Sequence, residues 1–296
     1  MALLIGVLEQ GLIYAIMALG MYITYKILDF PDMTVDGSFP LGASVSAICI
    51  ANGWNAYLTL PLCFVCGIVA GTITGLIHVK LRVRDILASI IVMTALYSVN
   101  LRIAGAANLP LYNYDNVFFN PVVNAILQEN PFQTTVCLLV FVVVIKTLLD
   151  LYLKTKSGYL LKAVGDNETI VTSMGIDKGK VKILGLAIAN GLVAMSGSLY
   201  AQQQRYFDAS IGTGTAVIGL ASVIFGTSLF GKVTFFNFSM SVILGSILYK
   251  GCVALALSCG LCASDLRLVT ALFFLVIIVI SSRLNRDRGV RKKVEA

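Results

Sequence analysis

Few residues of this sequence have the types and spacing that catalysis needs. An intramembrane hydrolase requires paired carboxylates, a serine beside a base, or metal ligands, and the chain has a single histidine, His78. Asp36 and Asp208 could form a carboxylate pair, but the charge pattern predicts loops on opposite sides of a membrane. Residues 226–233 nearly spell a phosphate-binding loop, with Val233 in place of the hydroxyl residue that binds magnesium. We therefore expect neither catalysis nor a cofactor, ATP or metal site in this chain.

A polar break between apolar segments offers binding residues instead. Residues 28–40 contain two prolines, one glycine and three carboxylates, so they cannot form one continuous helix. An ionisable residue at membrane depth usually lines a pathway, although Asp36 could equally cap the next helix. The candidate pathway residues are Thr34, Asp36, Gly37 and Ser38, with Asn100 and Asn190 behind them.

The composition of the chain is that of a membrane protein. Hydrophobic residues make up 58% and charged residues 12%, whereas soluble domains have roughly 25% charged residues. The apolar windows are 2–28, 40–51, 57–79, 86–104, 132–153, 183–203, 213–230, 235–257 and 266–282. The second and seventh are short or rich in small residues, which predicts re-entrant or broken helices. We expect an all-α polytopic membrane protein with about 8–10 transmembrane segments, forming one domain over residues 1–282.

Basic residues predict the orientation. They cluster in 80–84, in 154–182 and in the tail 283–296, whereas 105–131 contains none and carries Asp115 and Glu129. Because basic loops stay inside, we expect 154–182 and the tail to be cytoplasmic and 105–131 to be extracytoplasmic. Counting crossings places the N-terminus outside, unless the second segment is re-entrant. The net charge of +7 then reflects membrane orientation and contact with lipids rather than nucleic acid binding.

The polar segment 154–182 contains the features of a short docking helix. Asp166 or Asn167 can cap its start, and Gly175 can end it. Between them Ile170, Val171 and Met174 form an apolar stripe. A helix of about two turns is marginal alone, so the stripe must pack on this chain or on another protein.

Small residues predict helix packing in the third segment. Gly67, Gly71 and Gly75 recur every four residues, which lets a second backbone approach closely. Cys63 and Cys66 lie in the same apolar segment and are expected to pack as small hydrophobes. Cys259 and Cys262 lie in a predicted outer loop, where they are either free or joined in a disulfide. Residues 120–129 predict an amphipathic helix on the outer membrane surface, or a docking site there.

A weak internal repeat is also visible. The glycine-rich stretch 185–200 runs into 205–214, much as the first helix runs into residues 30–37. We expect the first break to face inside and the second outside. Inverted repeats with broken helices near a central site are a common transporter plan.

Several motifs resemble a known family. The run 11–20 (GLIYAIMALG) followed by 34–43 (TVDGSFPLGA) is similar to the permeases of bacterial ABC importers for branched-chain amino acids, ribose and nucleosides. The stretch Ala163-Val164-Gly165-Asp166-Asn167, with Met174-Gly175-Ile176 and Lys182, resembles that family's cytoplasmic coupling loop. Residues 197–202 and 226–231 continue the match, which covers most of the chain. The branch it resembles most is the one for tryptophan and tyrosine import.

The resemblance implies partners that the chain itself does not contain. It implies a homodimer in the bacterial inner membrane, bound to two copies of a cytoplasmic ATPase that holds ATP and Mg²⁺. An extracytoplasmic binding protein would deliver the cargo, an aromatic or branched-chain amino acid, or alternatively a nucleoside or small sugar. The expected ATPase contacts are Gly165, Asp166, Asn167, Ile170, Val171, Met174 and Gly175. The rival interpretation is an ion-coupled secondary transporter, which would need acidic residues inside the membrane.

Overall fold

The described part of the chain is a bundle of α-helices with one very short strand pair. The computed structural model describes residues 2–120, 132–230 and 237–258, together with 271, 272, 275, 276 and 279. The helices are α1 (Ala2–Met21), α2 (Val35–Ala51), α3 (Ala56–Lys80), α4 (Asp85–Ala104), α5 (Gln133–Leu153), α6 (Lys156–Asp166), α7 (Glu168–Ser173), α8 (Lys178–Gln204), α9 (Thr215–Phe230) and α10 (Phe238–Ser258). A π-helical turn, Tyr22–Ile27, extends α1.

Six of these helices are long and apolar enough to cross a membrane. They are Leu4–Ile27, Ala56–Lys80, Asp85–Ala104, Gln133–Leu153, Lys178–Gln204 and Phe238–Ala256, and the shorter apolar helices are Val35–Ala51 and Thr215–Phe230. Eight of the nine apolar windows in the sequence thus correspond to helices in the described part of the chain. Most of the ninth window (266–282) lies outside the residues described, as do the tail, the Cys259 and Cys262 pair and residues 121–129 of the amphipathic segment. The protein is a multi-pass, all-α membrane protein.

Helix α8 forms the centre of the bundle and packs against α1, α2 and α3. The predicted glycine stripe makes the α3 contact possible. A Cβ at Gly67 or Gly71 would collide with backbone carbonyls of α8, and one at Gly75 would lie 2.9 Å from the Cα of Ile183. The backbones are close because these glycines have no side chain. Cys63 is buried in the same helix, and its thiol donates to the Gly42 carbonyl at 3.2 Å.

The remaining helices surround this centre. Helix α4 packs on α2 and α3, α5 packs on α1, and α10 packs on α1 and α9. Strands β1 (Asn108–Pro110) and β2 (Tyr206–Asp208) pair antiparallel, with Leu109 opposite Phe207. The pair joins the segments that follow α4 and α8 at one end of the bundle, which we call the outer end. The other end, which carries Lys80 and residues 154–182, is the basic end.

Two breaks in the helices are related by an inverted arrangement. Helix α1 runs toward the basic end, and residues 28–34, the first break, lead into α2, which runs back beside α8 toward the outer end. Helix α8 runs toward the outer end, and residues 205–214, the second break, lead into α9. Helix α9 runs toward the basic end, where Ser239, at the start of α10, donates to Asp150 near the end of α5. Each break therefore starts a short helix inside the bundle.

Candidate functional site

The helices that follow the two breaks meet at Asp36. This residue is in the first turn of α2, yet its carboxylate caps a different helix, α9. Its Oδ2 accepts from the Gly214 amide at 3.1 Å, and its Oδ1 accepts from the Ala216 amide at 2.6 Å and the Thr215 hydroxyl at 3.0 Å. The first break follows the basic end and the second follows the outer end of the bundle, and the expectation that the first faces inside and the second outside stays a prediction. Each break returns the chain into the bundle, so the N-terminal ends of α2 and α9 come together.

A buried polar cluster holds the first break against α3 and α8. Asn190 on α8 donates to Asp32 Oδ2 at 2.7 Å and accepts from the Ser38 hydroxyl at 2.7 Å. The other oxygen of Asp32 accepts from the Thr34 amide at 2.8 Å, and the Thr34 hydroxyl lies 3.0 Å from that of Thr74. Asn190 is about twelve residues, or roughly 18 Å, from the start of α8. The cluster therefore lies in the middle of the bundle.

The proposed pathway residues separate into two groups. Thr34, Ser38 and Asn190 belong to the buried cluster, and Asn100 joins from α4 by donating to the Gly37 carbonyl at 3.1 Å. The Oδ1 of Asn100 is buried and has no hydrogen-bond partner among the described residues. Asp36, by contrast, is bound to the second break. The sequence interpretation did not single out Asp32, although Asp-x-Thr favours a turn in which the carboxylate accepts from the amide two residues on.

The polar segment 154–182 folds into two short helices and the start of α8. Thr155, Asn167 and Asp177 are the N-caps of α6, α7 and α8, and each accepts from a backbone amide. Of the two candidate caps for the short helix, Asn167 is the one that caps it, whereas Asp166 is the last residue of α6. Gly175 has φ +75°, a left-handed conformation that ends the helical segment.

Helix α7 presents part of its apolar stripe to solvent. Ile170 is 55% exposed and Met174, the C-cap residue of α7, is 66% exposed, whereas Val171 is fully buried against the bundle. Val171 thus packs α7 against the bundle. The two exposed side chains form an apolar surface at the basic end that nothing in the described part of the chain covers.

Helix α6 is in direct contact with the first break. A Cβ on Gly165 would overlap the carbonyl oxygen of Ile27, the last residue of the π-helical turn. Leu28 and Leu161 lie together over Gly185 of α8. A displacement of α6 therefore acts directly on the start of the first break.

An ion-paired carboxylate fixes α7 to α8. Glu168 accepts from Lys178 at 2.7 Å and from Lys182 at 2.5 Å. These two ammonium groups lower the pKa of Glu168 to about 2. The carboxylate is 40% exposed, so solvent screens the pairs and each stabilises by about 0.2–1 kcal/mol.

Comparison with known proteins identifies the family of this chain. Residues 3–282 match the family described as the branched-chain amino acid transport system / permease component. The chain belongs to that permease family. It is 44% identical over 289 residues to a tyrosine transport system permease protein of Clostridioides difficile, covering 98% of this chain and 94% of the relative. No solved structure matches the chain.

More distant relatives of the permease differ in their named cargo. The chain is 30% identical to a probable branched-chain amino acid transport permease protein of Methanocaldococcus jannaschii, covering 76% of this chain and 73% of the relative. It is 24% identical to a ribose import permease protein of Haemophilus influenzae, covering 77% and 70%. The family membership makes the chain a transport subunit. Among the described residues, no group of three or more metal-ligating side chains is placed to hold a metal ion.

The sequence interpretation of the permease missed an intramembrane lysine. Lys250 lies on α10, about twelve residues from the start of that helix. Its Nζ is 3.8 Å from the centre of the Tyr14 ring and 3.5 Å from Gln10 Oε1. Tyr14 stacks on Phe39 with ring centres 5.8 Å apart. A single basic residue inside the apolar window 235–257 was the available signal, since such residues usually mark function.

An acidic residue directly precedes Gln10, the residue whose side chain contacts Lys250. Glu9 precedes Gln10 on α1, and its oxygens accept from Gln203 on α8 at 3.0 Å and from Thr135 on α5 at 3.5 Å. Among the described residues, neither Glu9 nor Lys250 takes part in an ion pair. The bundle therefore holds an acidic and a basic side chain in one region without pairing them.

Proposed function

We propose that this permease moves an amino acid across the bacterial inner membrane, driven by ATP hydrolysis on a separate ATPase. Two copies of the chain would form the pathway, with an ATPase bound to each at the basic end. That end would be cytoplasmic, together with the C-terminal tail, and the outer end would receive cargo from a binding protein. ATP and Mg²⁺ would be held by the ATPase.

The observation that carries this proposal is the connection from the exposed side of α7 to the first break. Ile170 and Met174 are exposed on α7, and the adjacent helix α6 touches Ile27 through Gly165. An ATPase that binds the exposed pair can therefore displace the break through α6, with no further element between them. A secondary carrier would have no use for this surface, because it has no soluble motor.

Movement of the first break would act on the buried polar cluster. Asp32 lies five residues after Ile27 and is bonded to Asn190 on the central helix. Because both polar side chains are buried, separating them without new partners would be costly. We propose that they exchange these partners when the pathway opens, so that Asp32, Ser38 and Asn190 face the cargo in one state of the cycle. Asp36 would stay on α9 and keep the two breaks together.

The relatives favour an aromatic amino acid as the cargo. The Clostridioides difficile relative, at 44% identity, is named a tyrosine transport permease, whereas the ribose permease is only 24% identical. A nucleoside or sugar is therefore the less favoured cargo. L-Tyrosine is the substrate that we propose to test first.

The outer end offers a surface for the binding protein. Trp54 is 58% exposed beside a hollow of about 500 Å³ that Asn113, Tyr114 and Asp115 also line. The loop that contains Asn113, Tyr114 and Asp115 is held in place, because Gln202 on α8 accepts from the Val117 amide at 3.1 Å. A rigid, aromatic and partly acidic rim is suited to docking a soluble protein.

The decisive experiment is reconstitution of the chain with its ATPase and binding protein in proteoliposomes. We expect uptake of radiolabelled L-tyrosine that requires ATP on the ATPase side and stops when the binding protein is omitted. A tagged chain isolated from membranes should carry the ATPase in stoichiometric amount. If the chain comes away without an ATPase and still moves L-tyrosine down an imposed ion gradient, the ABC assignment fails and the carrier interpretation replaces it.

A further inference from the structure

The basic side chain of Lys250 has no acidic partner in the described part of the chain. An ammonium group inside a membrane bundle is normally paired with a carboxylate or faces a pathway. No carboxylate among the described residues lies within ion-pair distance of Lys250, and its Nζ lies instead over the Tyr14 ring. A cation over an aromatic ring is only partly compensated. The position is thus suited to receive a carboxylate from outside the chain.

The surroundings of Lys250 are aromatic. Tyr14 contacts Phe39 and Tyr200 with ring centres 5.8 Å and 5.9 Å apart, and Phe39 and Tyr200 are 5.5 Å apart. The three rings come from α1, α2 and α8, so they lie where these three helices meet. Aromatic rings of this kind favour offset or edge-to-face contact with another aromatic ring.

The surroundings of Lys250 are tightly packed in this structure. Tyr14 is 6% exposed and Phe39 is fully buried, so a ligand reaches the ammonium group only when the helices around it move apart. Glu9 precedes Gln10 in the sequence. Its carboxylate accepts hydrogen bonds from Gln203 and Thr135 but forms no ion pair among the residues described. An unpaired ammonium and an unpaired carboxylate in one region match the two charges of an amino acid zwitterion.

We propose that Lys250 binds the α-carboxylate of the transported amino acid, with the Tyr14, Phe39 and Tyr200 rings against its side chain. The inference deepens the proposed function and rests on it, because it assumes an amino acid as cargo. The carboxylate replaces the aromatic face as the partner of the ammonium group, so binding is stronger for a ligand that carries this charge. The decarboxylated analogue of the amino acid, which is an amine without the carboxylate, gains no binding affinity from Lys250.

The test compares L-tyrosine with tyramine, its decarboxylated analogue. The full-length chain in nanodiscs is titrated with each compound and binding is followed by saturation-transfer NMR, which detects weak ligands. We expect the wild-type chain to prefer L-tyrosine by about tenfold or more, since hydrogen bonds to charged groups are the stronger ones. In Lys250→Gln the ratio of the affinities for L-tyrosine and tyramine should fall to about one. Lys250→Arg should keep most of the wild-type ratio.

A control and a second assay separate the possible outcomes. Lys146 also lies in an apolar helix but is paired with Asp150 at 2.8 Å, so Lys146→Gln should leave the tyrosine preference unchanged. If Lys250→Gln weakens both ligands equally, or leaves the preference intact, Lys250 does not bind the carboxylate. In that case wild-type uptake of L-tyrosine in proteoliposomes would still support the proposed function. A wild-type complex that moves no L-tyrosine would overturn both.

Discussion

Asp36 on α2 binds helix α9 rather than its own helix, with its Oδ1 2.6 Å from the backbone nitrogen of Ala216. The N-terminal ends of α2 and α9 both carry partial positive charge, and they meet inside the bundle. A single carboxylate between them compensates both ends and satisfies two amides that have no helical partner. The bond also joins two segments that are far apart in the sequence, one from each break.

This relationship predicts that Asp36 holds the breaks in register. In Asp36→Ala the amides of Gly214 and Ala216 lose their acceptor, and we expect a stability loss of about 1–3 kcal/mol and a several-fold fall in uptake. Asp36→Asn should be intermediate, because it keeps one acceptor oxygen but not the charge. Thermal unfolding in detergent and uptake in proteoliposomes measure the two effects.

The matched control for Asp36 is Asp208 in the second break. Among the residues described, its carboxylate accepts only from Ser210, its near neighbour in the chain, through the amide and the hydroxyl, both at 2.6 Å. Asp208→Ala should therefore retain most of the uptake, and both variants should retain the ATPase. Normal uptake by Asp36→Ala would show that the cap has no part in transport.

Local patterns predicted those parts of the fold that depend on neighbouring residues. The glycine repeat at 67, 71 and 75 predicts a close helix contact because its period is that of one helix face. The cap at Asn167 and the left-handed turn at Gly175 follow from side-chain and backbone chemistry within a few residues. The apolar windows likewise correspond to helices, since a membrane requires a minimum apolar length.

Long-range pairing explains what the sequence did not predict. The acceptor and donor of the Asp36 bond are 180 residues apart, and Asp32 and Asn190 are 158 apart. No periodicity connects such positions, so the choice between Asp32 and Asp36 as the partner of Asn190 depends on tertiary structure. Lys250 was missed for a different reason. Clusters of basic residues predict orientation, and a single lysine inside an apolar helix belongs to no cluster.

The exposed side chains of α7 predict where the ATPase binds. Ile170→Asp combined with Met174→Asp places two charges on an apolar contact, and we expect at least a tenfold loss of ATPase association, because buried unpaired charges are costly. Membrane insertion should be unaffected, since both residues are more than half exposed. Co-purification of the ATPase with the tagged chain measures the effect.

A control on the same helix tests whether the position or the charge matters. Thr172 is exposed on α7 and its hydroxyl donates to the Glu168 carbonyl at 2.7 Å. It lies about 200° around the helix from Ile170, so Thr172→Asp should leave the ATPase bound. Equal loss in both variants would mean that any added charge disturbs α7. Unchanged association in the double variant would exclude Ile170 and Met174 as the contact.

The ion pairs of Glu168 predict a pH dependence with a definite sign. Lys178 and Lys182 lower the pKa of Glu168 from its usual 4.5 to about 2. The pairs therefore contribute fully above about pH 4.5 and are lost as the pH falls from there toward 2. Between pH 6 and 8 the attachment of α7 should not change, and the change should appear only on acidification.

Limited proteolysis measures this attachment at neutral pH. Trypsin cleaves after Lys178, which lies in the contact with Glu168. Glu168→Gln should speed this cleavage several-fold, because the loosened segment opens more often. Asp166→Asn is the matched control, since Asp166 forms no ion pair among the residues described. Cleavage that is equally fast in all three proteins would show that the pairs do not hold α7 in place.

The contact between Gly165 and Ile27 predicts a variant that separates ATP hydrolysis from transport. A methyl group on Gly165 would overlap the Ile27 carbonyl, so Gly165→Ala must move α6 away from the first break. The exposed face of α7 remains, and the ATPase should still bind and hydrolyse ATP. We expect uptake per ATP hydrolysed to fall several-fold. Gly6→Ala is the control, because a Cβ there meets nothing within 4 Å, and alanine favours a helix by about 1 kcal/mol over glycine. If Gly165→Ala transports with the wild-type ratio, the force from the ATPase reaches the pathway by another route than Ile27.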